Sequence, residues 1–298
     1  MSLFRLGAIG IDSSHLPEFT RRINALGDAG QTRCRVTRLW TDGRHDLPPE
    51  RAMKWQADAE ALGVRPAASL DELLGDVDGA MVLAVNGNRH FEFTMPALQR
   101  GLPTYVDKPL TCDLGQARQL LRIARERNAR CYSASSLRFA SEVTDLPRGE
   151  LGRLVAVDAF GPGQLSPAME GLFYYGVHVI EMVDAIWGPG VKRVSAITTP
   201  DRDLLDLVYG DGRYARLRME RAGCYDFGAT VHGEKKLHQF KVDFADVYNR
   251  LVNGMMRFFE GGDAPVRLRD SVENVAVMEA GNRSMTHDGA WVDVEPVE

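Results

Sequence analysis

The turn after the first apolar segment carries polar side chains that could bind an anion. Residues 3–11 are apolar enough for a buried strand, and the turn that follows reads Gly10-Ile11-Asp12-Ser13-Ser14-His15. In a dinucleotide-binding turn, G-x-G-x-x-G, the glycines allow the tight turn, the approach of the pyrophosphate and close helix packing. Gly10 is present here, whereas Asp12 and His15 occupy the second and third glycine positions. The location therefore predicts a nucleotide site, and the residues predict an altered one.

This turn has two interpretations. Ser13, Ser14 and the N-terminus of the next helix can bind an anion through hydroxyl and backbone N–H groups. A carboxylate beside a pyrophosphate is repulsive, so we expect Asp12 to oppose that binding. Alternatively, residues 12–14 only cap the helix.

Asp42 follows the second predicted strand, residues 35–41. A carboxylate at this position typically binds the adenosine ribose hydroxyls of a dinucleotide. Arg44 is close enough in the sequence to bind a 2′-phosphate instead, so the pair leaves the choice between NAD and NADP open. The alternative is an ordinary Thr-Asp-Gly turn over residues 41–43.

Lys108 lies where the predicted strand 104–107 ends, in the segment Tyr105-Val106-Asp107-Lys108-Pro109-Leu110. Doubly wound proteins bind ligands at the carboxyl ends of such strands. The ammonium group could hydrogen-bond a substrate hydroxyl or stabilise a developing alkoxide. Pro109 also restricts the backbone of Lys108 to an extended conformation. The alternative is a solvated loop lysine paired with Asp107.

His178 lies near the start of the predicted helix 175–187, and Glu181 follows one turn later on the same face. An imidazole titrates near neutral pH and suits general acid–base catalysis on a hydroxyl or a carbonyl. A lone histidine is more often structural, so its position alone does not decide between the two roles.

The first half of the chain alternates short apolar strands with helical patterns. This alternation predicts parallel strands joined by right-handed crossovers, and hence a doubly wound, Rossmann-like α/β domain over residues 1–135. The predicted strands are 3–11, 35–41, 79–85, 104–107 and 129–133, and the predicted helices are 17–26, 49–62, a short one capped by Ser69 and Glu72, 91–100 and 110–128.

The second half, residues 136–298, is predicted to be an α+β domain with an antiparallel sheet. Asp211-Gly212 separates two of its strands and favours a two-residue type I′ hairpin. The predicted strands are 154–159, 191–198, 204–209, 214–219 and 289–294, and the predicted helices are 175–187, 244–260 and 270–286.

The composition excludes several classes of protein. The net charge is -5, from 36 basic and 41 acidic residues. The sequence has no basic stripe with interleaved aromatic residues, so nucleic-acid binding is not expected. No apolar run approaches the roughly 18 residues of a membrane span. Four scattered cysteines and the lack of a signal-peptide pattern lead us to expect a cytoplasmic protein. His232 and His238 do not have zinc-ligand spacing, so no metal site is expected.

The order and spacing of several motifs resemble the Gfo/Idh/MocA family, which includes glucose–fructose oxidoreductase and inositol 2-dehydrogenase. The resemblance covers nearly all of the chain. Its motifs are Asn86 to His90 followed by the helix that ends at Gly101, Val106-Asp107-Lys108-Pro109-Leu110 (similar to "EKP"), Leu137-Arg138-Phe139, and Gly176-Val177-His178 with Glu181.

This resemblance implies a Rossmann domain followed by a domain with an open, mainly antiparallel sheet that commonly mediates homo-oligomerisation. It implies hydride transfer between a nicotinamide cofactor, NAD or NADP, and a sugar- or inositol-like hydroxyl or carbonyl. Lys108 would orient the substrate and support proton transfer, and His178 would act as the acid–base. Asn86, His90 and Asp107 would line the cofactor cleft.

The chain departs from the family pattern in three places. Gly-Ile-Asp-Ser-Ser-His at residues 10–15 resembles a "G.D.SH" subgroup, and Asp107 stands for the usual glutamate. Tyr174 stands where the family has an aspartate four residues before the histidine. A phenol, with an ordinary pKa of about 10, is a poorer base at neutral pH but can donate a proton.

Two hypotheses follow. The first is an NAD(P)-dependent oxidoreductase acting on a small polyol or sugar-like substrate, with Lys108, His178 and Tyr174 expected in a cleft between the halves. The second is a ligand-binding or regulatory relative that has lost redox activity, which Asp12 and His15 favour. A purely structural role has little support beyond the sheet expected to mediate oligomerisation.

Overall fold

The computed structural model describes residues 2–298, which form two compact units. The first unit contains residues 2–111, 115–134 and 248–268, and the second contains residues 112–114, 135–247 and 269–298. No helix within residues 2–298 combines the length and the apolar character needed to span a bilayer.

The first unit is built on a six-stranded parallel sheet in the order β3-β2-β1-β4-β5-β6. Its strands are β1 (Phe4–Ile9), β2 (Cys34–Trp40), β3 (Arg65–Pro66), β4 (Gly79–Val82), β5 (Thr104–Val106) and β6 (Cys131–Ser133). The helices that alternate with them are α1 (His15–Asp28), α2 (Pro49–Ala61), α3 (Leu70–Gly75), α4 (His90–Gln99) and α5 (Leu114–Glu126). This strand order confirms the predicted Rossmann-like fold.

The second unit is built on a seven-stranded sheet in the order β12-β11-β7-β10-β9-β8-β13. Its strands are β7 (Leu154–Pro162), β8 (Val191–Thr198), β9 (Arg202–Tyr209), β10 (Tyr214–Glu220), β11 (Gly228–Gly233), β12 (Leu237–Lys241) and β13 (Val292–Asp293). Only the β7–β10 pair of this sheet is parallel, so the mainly antiparallel sheet is confirmed. The remaining helices of the chain are α6 (Ser141–Thr144), α7 (Arg148–Leu151), α8 (Gly176–Trp187), α9 (Val247–Phe259) and α10 (Leu268–Met285).

Helix α9 shows how the second half of the sequence completes the first unit. The ring of Phe258 packs 4.9 Å from that of Tyr132 on β6, and Phe259 lies 6.1 Å from Phe4 on β1. A single division at residue 135 assigns this helix to the second domain, whereas the structure packs segment 248–268 in the first unit. Burial of these aromatic rings explains the placement.

The hairpin between β9 and β10 differs from its prediction. Tyr209 N–H donates to the Arg213 carbonyl at 3.0 Å, which leaves three residues, 210–212, in the loop. Gly212 has a φ of +88°, whereas Asp211 is not among the residues with positive φ. The type I′ prediction was therefore wrong, because that turn needs positive φ at both central residues.

Candidate active site

Gly10 makes the turn that connects β1 to α1. Its φ is +95°, and a Cβ atom added to it would lie 2.6 Å from the backbone nitrogen of Ala84, just beyond β4. Both the backbone conformation and the close approach of the neighbouring strand end therefore require glycine here.

Asp12 faces the interior of the first unit. Asp12 is only 1% exposed. Its carboxylate accepts hydrogen bonds from Val85 N–H at 3.2 Å and from Asp46 N–H at 3.3 Å. These amides belong to the loops after β4 and β2, so the carboxylate ties three strand ends together. This geometry corrects the expectation that Asp12 opposes a pyrophosphate, since its charge is directed at the backbone of the protein.

Replacing Asp12 by alanine should destabilise the protein. The change leaves two backbone N–H groups without their acceptor, which is expected to lower the free energy of unfolding by about 1–3 kcal/mol. Urea unfolding of Asp12→Ala measures this effect. Ser14→Ala is the control, because Ser14 is exposed and its side chain makes no capping bond. An Asp12→Ala protein as stable as wild type would contradict the assigned role.

His15, at the third glycine position, forms a hydrogen-bonded chain with two other residues of the first unit. Its Nδ1 lies 2.5 Å from Asp107 Oδ2, and its Nε2 lies 3.2 Å from the Tyr248 hydroxyl. The ring also stacks on Phe19 with centroids 4.7 Å apart. The imidazole thereby joins the start of α1, the end of β5 and the start of α9. Ser13 supports this position, since its Oγ accepts the His15 N–H at 3.1 Å.

Asp107 is 4% exposed and remains ionised. Burial opposes its ionisation, but the adjacent His15, together with Lys108 and His90, holds the pKa of its carboxyl below the usual value. Its second oxygen accepts the backbone N–H of Lys108 at 2.8 Å. The carboxylate therefore fixes the point from which the Lys108 side chain starts.

His90 is completely buried beneath the segment that follows Lys108. Its Nδ1 lies 2.6 Å from the Pro109 carbonyl and its Nε2 lies 2.7 Å from the Ala84 carbonyl. Burial lowers the pKa of His90, which favours the neutral ring. This geometry gives His90 a positioning role through Pro109, in place of the direct cofactor contact that the resemblance implies.

Asp42, just beyond β2, is engaged by two arginines. Arg44 donates to it from its backbone N–H at 3.0 Å and from Nε at 2.5 Å, and Arg89 also forms an ion pair with it. Although burial opposes ionisation, the hydrogen bonds from Arg89 and Arg44 keep the pKa of the Asp42 carboxyl below its usual value. Arg89 is itself 9% exposed and lies over the Phe93 ring. A carboxylate and two guanidinium groups thus meet at this strand end.

Asn86 begins the short turn after β4, where its Oδ1 accepts the Asn88 N–H at 3.0 Å. His45 follows β2, which is separated from β4 by β1 in the sheet. The buried Nδ1 of His45 has no hydrogen-bond partner among residues 2–298. A buried polar atom of this kind calls for a polar partner. The carboxyl edge of the sheet therefore carries the glycine turn after β1 and, beyond β2, the Asp42 carboxylate and an unpaired imidazole nitrogen.

In the second unit, His178 is positioned by a serine. Its Nδ1 lies 2.7 Å from the Ser135 hydroxyl, and Tyr175 and Phe227 face its ring at centroid distances of 5.2 and 5.8 Å. Ser135 Oγ also accepts the Leu137 N–H at 3.3 Å. Because a hydroxyl oxygen has two lone pairs, Ser135 can either donate to Nδ1 or accept from it, according to the tautomer of the imidazole.

Glu181 and Tyr174 lie on either side of His178 in the sequence. Glu181 is 4% exposed, and its carboxylate accepts the Ser135 backbone N–H at 2.8 Å. Tyr174 lies between the turn Gly171–Phe173 and α8, with its ring 5.4 Å from that of Tyr175.

The structure thus brings together His15, Asp107 and the Lys108 backbone in the first unit, and Ser135 with His178 in the second. Ser135, Arg89 and Tyr248 were missed by the sequence reasoning. Ser135 lies two residues after the predicted strand 129–133, and a polar residue near a strand end is the same signal that identified Lys108. Tyr248 is more than 100 residues from its partners in the sequence and carries no local signal.

Comparison with known proteins agrees with this geometry. Residues 21–135 match the family model described as the oxidoreductase family with an NAD-binding Rossmann fold, Gfo/Idh/MocA. Part of the first unit is therefore similar to the Gfo/Idh/MocA oxidoreductase family. The Lys108 segment and the Asn86 turn both lie within this match.

Two curated proteins are similar to the same part of the chain. The uncharacterized oxidoreductase YhhX of Escherichia coli is 28% identical over 158 residues, which cover 49% of this chain and 44% of YhhX. The 1,5-anhydro-D-fructose reductase of Ensifer adhaerens is 30% identical over 152 residues, 49% of this chain and 43% of the reductase. The chain therefore aligns with less than half of the length of either relative.

The fold of the whole chain is also shared. The crystal structure of GenD2 from gentamicin A biosynthesis, in complex with NAD, superimposes with a TM-score of 0.83 and covers 99% of this chain and 97% of GenD2. At 18% identity, this likeness supports the fold of both units and nothing finer.

Proposed function

We propose that the protein is an NAD(P)-dependent oxidoreductase that acts on CH–OH groups of sugar- or inositol-like substrates. The observation that carries the proposal is the Gfo/Idh/MocA match over residues 21–135, which contain five of the six strands of the parallel sheet, with Lys108 at the carboxyl edge of that sheet. Doubly wound sheets bind their ligands at this edge.

The residues at this edge fit a nicotinamide dinucleotide. The turn from Gly10 to His15, with Ser13 and Ser14, provides the start of α1 for the pyrophosphate, and Asp42 provides an acceptor for ribose hydroxyls. Asn86 and Asp107 belong to the neighbouring strand ends and complete the proposed cofactor site. When bound, the cofactor accepts or supplies a hydride; the binding, orientation and proton transfer are left to the residues of the chain.

We assign the proton transfer to His178 and Lys108. With its Nδ1–H donating to Ser135, the neutral His178 imidazole can take the proton of a substrate hydroxyl on Nε2 as the hydride leaves the carbon; in carbonyl reduction the imidazolium gives this proton back to the alkoxide. Lys108 orients the substrate oxygen and stabilises negative charge on it. The Tyr174 hydroxyl is proposed as a further hydrogen-bond donor to the substrate.

The relatives support the substrate class and the cofactor. The name 1,5-anhydro-D-fructose reductase describes reduction of a sugar derivative, and GenD2 was crystallised with NAD. We extend a small polyol or sugar-like substrate to this chain on that basis. Cys34, Cys131 and Cys224 are thiols, which supports a reducing, cytoplasmic location. One face of the second sheet exposes Val155, Ile197 and Leu204, which supports homo-oligomerisation through it.

Fluorescence titration with NADH and NADPH tests the cofactor assignment. We expect at least one dinucleotide to bind below millimolar concentration. We further expect Arg44→Ala to weaken NADPH binding about tenfold, because a charge-assisted bond to the 2′-phosphate is lost, while NADH binding is retained. Arg35→Ala is the matched control, since Arg35 lies on β2 and pairs with Asp28 instead.

A second candidate, a non-redox ligand-binding relative, is favoured by one observation. His15 occupies the third glycine position and is held by Asp107 and Tyr248. Absence of NADH and NADPH binding at millimolar concentration would reject the oxidoreductase and leave this candidate.

A further inference from the structure

Gln164 carries an amide group without a partner inside the second unit. It follows strand β7, and both its Oε1 and its Nε2 are buried without any hydrogen-bond partner among residues 2–298. A buried amide that lacks both a donor for its oxygen and an acceptor for its nitrogen costs free energy in the unliganded protein. A built-in donor–acceptor pair of this kind calls for a ligand with matching groups.

Met219 connects the neighbourhood of Gln164 to the start of α8. The preceding Gly163 donates its N–H to the Glu220 carbonyl at 2.7 Å, and a Cβ on Gly163 would lie 2.7 Å from Met219 Cβ. The sulfur of Met219 lies 3.4 Å from the position of a Cβ on Gly176, the first residue of α8. Gln164 therefore follows the end of β7 at which α8 begins, and His178 is the third residue of that helix.

Phe227 provides a second link between β7 and the imidazole. A Cβ on Gly161 would lie 2.3 Å from the Phe227 ring and 2.8 Å from Val179. The same Phe227 ring faces His178 at 5.8 Å. Both links lie entirely within the second unit, and glycine at residues 161 and 163 is what lets the strand end approach these side chains so closely.

We propose that Gln164 is a substrate-binding residue that recognises two neighbouring hydroxyl groups. Its Oε1 accepts a hydrogen bond from one hydroxyl and its Nε2 donates one to the oxygen of the other, which satisfies both halves of the amide. This inference rests on the proposed function and narrows its substrate class to compounds with a vicinal diol beside the carbon that reacts.

The variant Gln164→Met tests the proposal because methionine has a similar length and no amide. We expect a melting temperature equal to or above that of wild type, since two unsatisfied polar groups are removed. We expect KM to rise at least tenfold for the best substrate among D-glucose, myo-inositol and 1,5-anhydro-D-fructose, with kcat and the Kd for dinucleotide nearly unchanged. Gln239→Met is the control, because Gln239 is exposed on β12 and bonds Thr230.

Each outcome decides the question. A lower melting temperature for Gln164→Met would show that the amide stabilises the fold, and an unchanged KM would show that solvent satisfies it; either result overturns the proposal. If wild type neither binds a dinucleotide nor turns over these compounds, the proposed function fails separately. In that case the test is whether the same compounds raise the melting temperature. We expect them to raise it for wild type and not for Gln164→Met. No rise in wild type would overturn the proposal as well.

Discussion

Replacing Lys108 by alanine should lower kcat by a factor of about 10²–10⁴ and leave dinucleotide affinity nearly intact. The lysine follows β5 at the carboxyl edge of the parallel sheet, and its backbone N–H is held by Asp107 at 2.8 Å. Pro109, whose carbonyl contacts His90, fixes the other side of the residue. An ammonium on a backbone that is fixed at both sides can be directed at a developing alkoxide, which is why its removal should affect kcat.

Lys54→Ala is the matched control for this measurement. Lys54 is exposed on α2 and pairs with Asp58 at 2.6 Å, so its loss should change neither kcat nor stability appreciably. Steady-state kinetics and fluorescence titration of both variants separate the catalytic effect from binding. Equal turnover in wild type and Lys108→Ala would show that this lysine takes no part in the reaction.

The first unit was predictable from local patterns to an unusual extent. Strand β2 and helix α2 begin within one residue of their predicted starts, and the capping box of α3 is present, with Ser69 accepting the Glu72 N–H at 3.1 Å. Alternation of apolar strands with amphipathic helices also gave the parallel topology. These features depend on residues close together in the sequence, where periodicity and capping chemistry act directly.

Elements with weak local patterns were not predicted. Strand β11 begins and ends with glycine, and β12 is short and half exposed, so neither shows a buried apolar run. They are held by pairing with β7 and with each other. Helix α9 was recognised as a helix, but nothing in its sequence states that its aromatic face packs on β1 and β6.

The site shows the same limit at the level of single residues. The sequence identified Asp12, His15 and Asp107 as unusual, but their roles depend on partners 34 to 233 residues away. Asp12 serves two backbone amides, and His15 serves Asp107. A pattern gives the type of a side chain at a strand end, whereas the direction of that side chain is decided by tertiary contacts.

The pair of His15 and Asp107 leads to the second large expected effect. Removing the carboxylate in Asp107→Ala takes away the partner of His15 and the acceptor of the Lys108 N–H. Removing this buried carboxylate leaves the His15 ring and the Lys108 N–H without their acceptor, which is expected to lower the free energy of unfolding by about 3 kcal/mol at pH 7. Asp28→Ala is the control, because Asp28 is exposed and its carboxylate pairs with Arg35 at the surface.

The pH dependence of this difference tests its electrostatic origin. The pKa of Asp107 is lower in the folded protein than the unfolded value of about 3.9, so the unfolded state binds the proton more readily. The stability that the carboxylate contributes is therefore complete above the unfolded pKa and is lost as the pH falls through the folded pKa. The gap between wild type and Asp107→Ala in urea unfolding should accordingly narrow below about pH 4. A gap of the same size at pH 7 and pH 3 would mean that packing, and not the charge on Asp107, holds the strand end to His15.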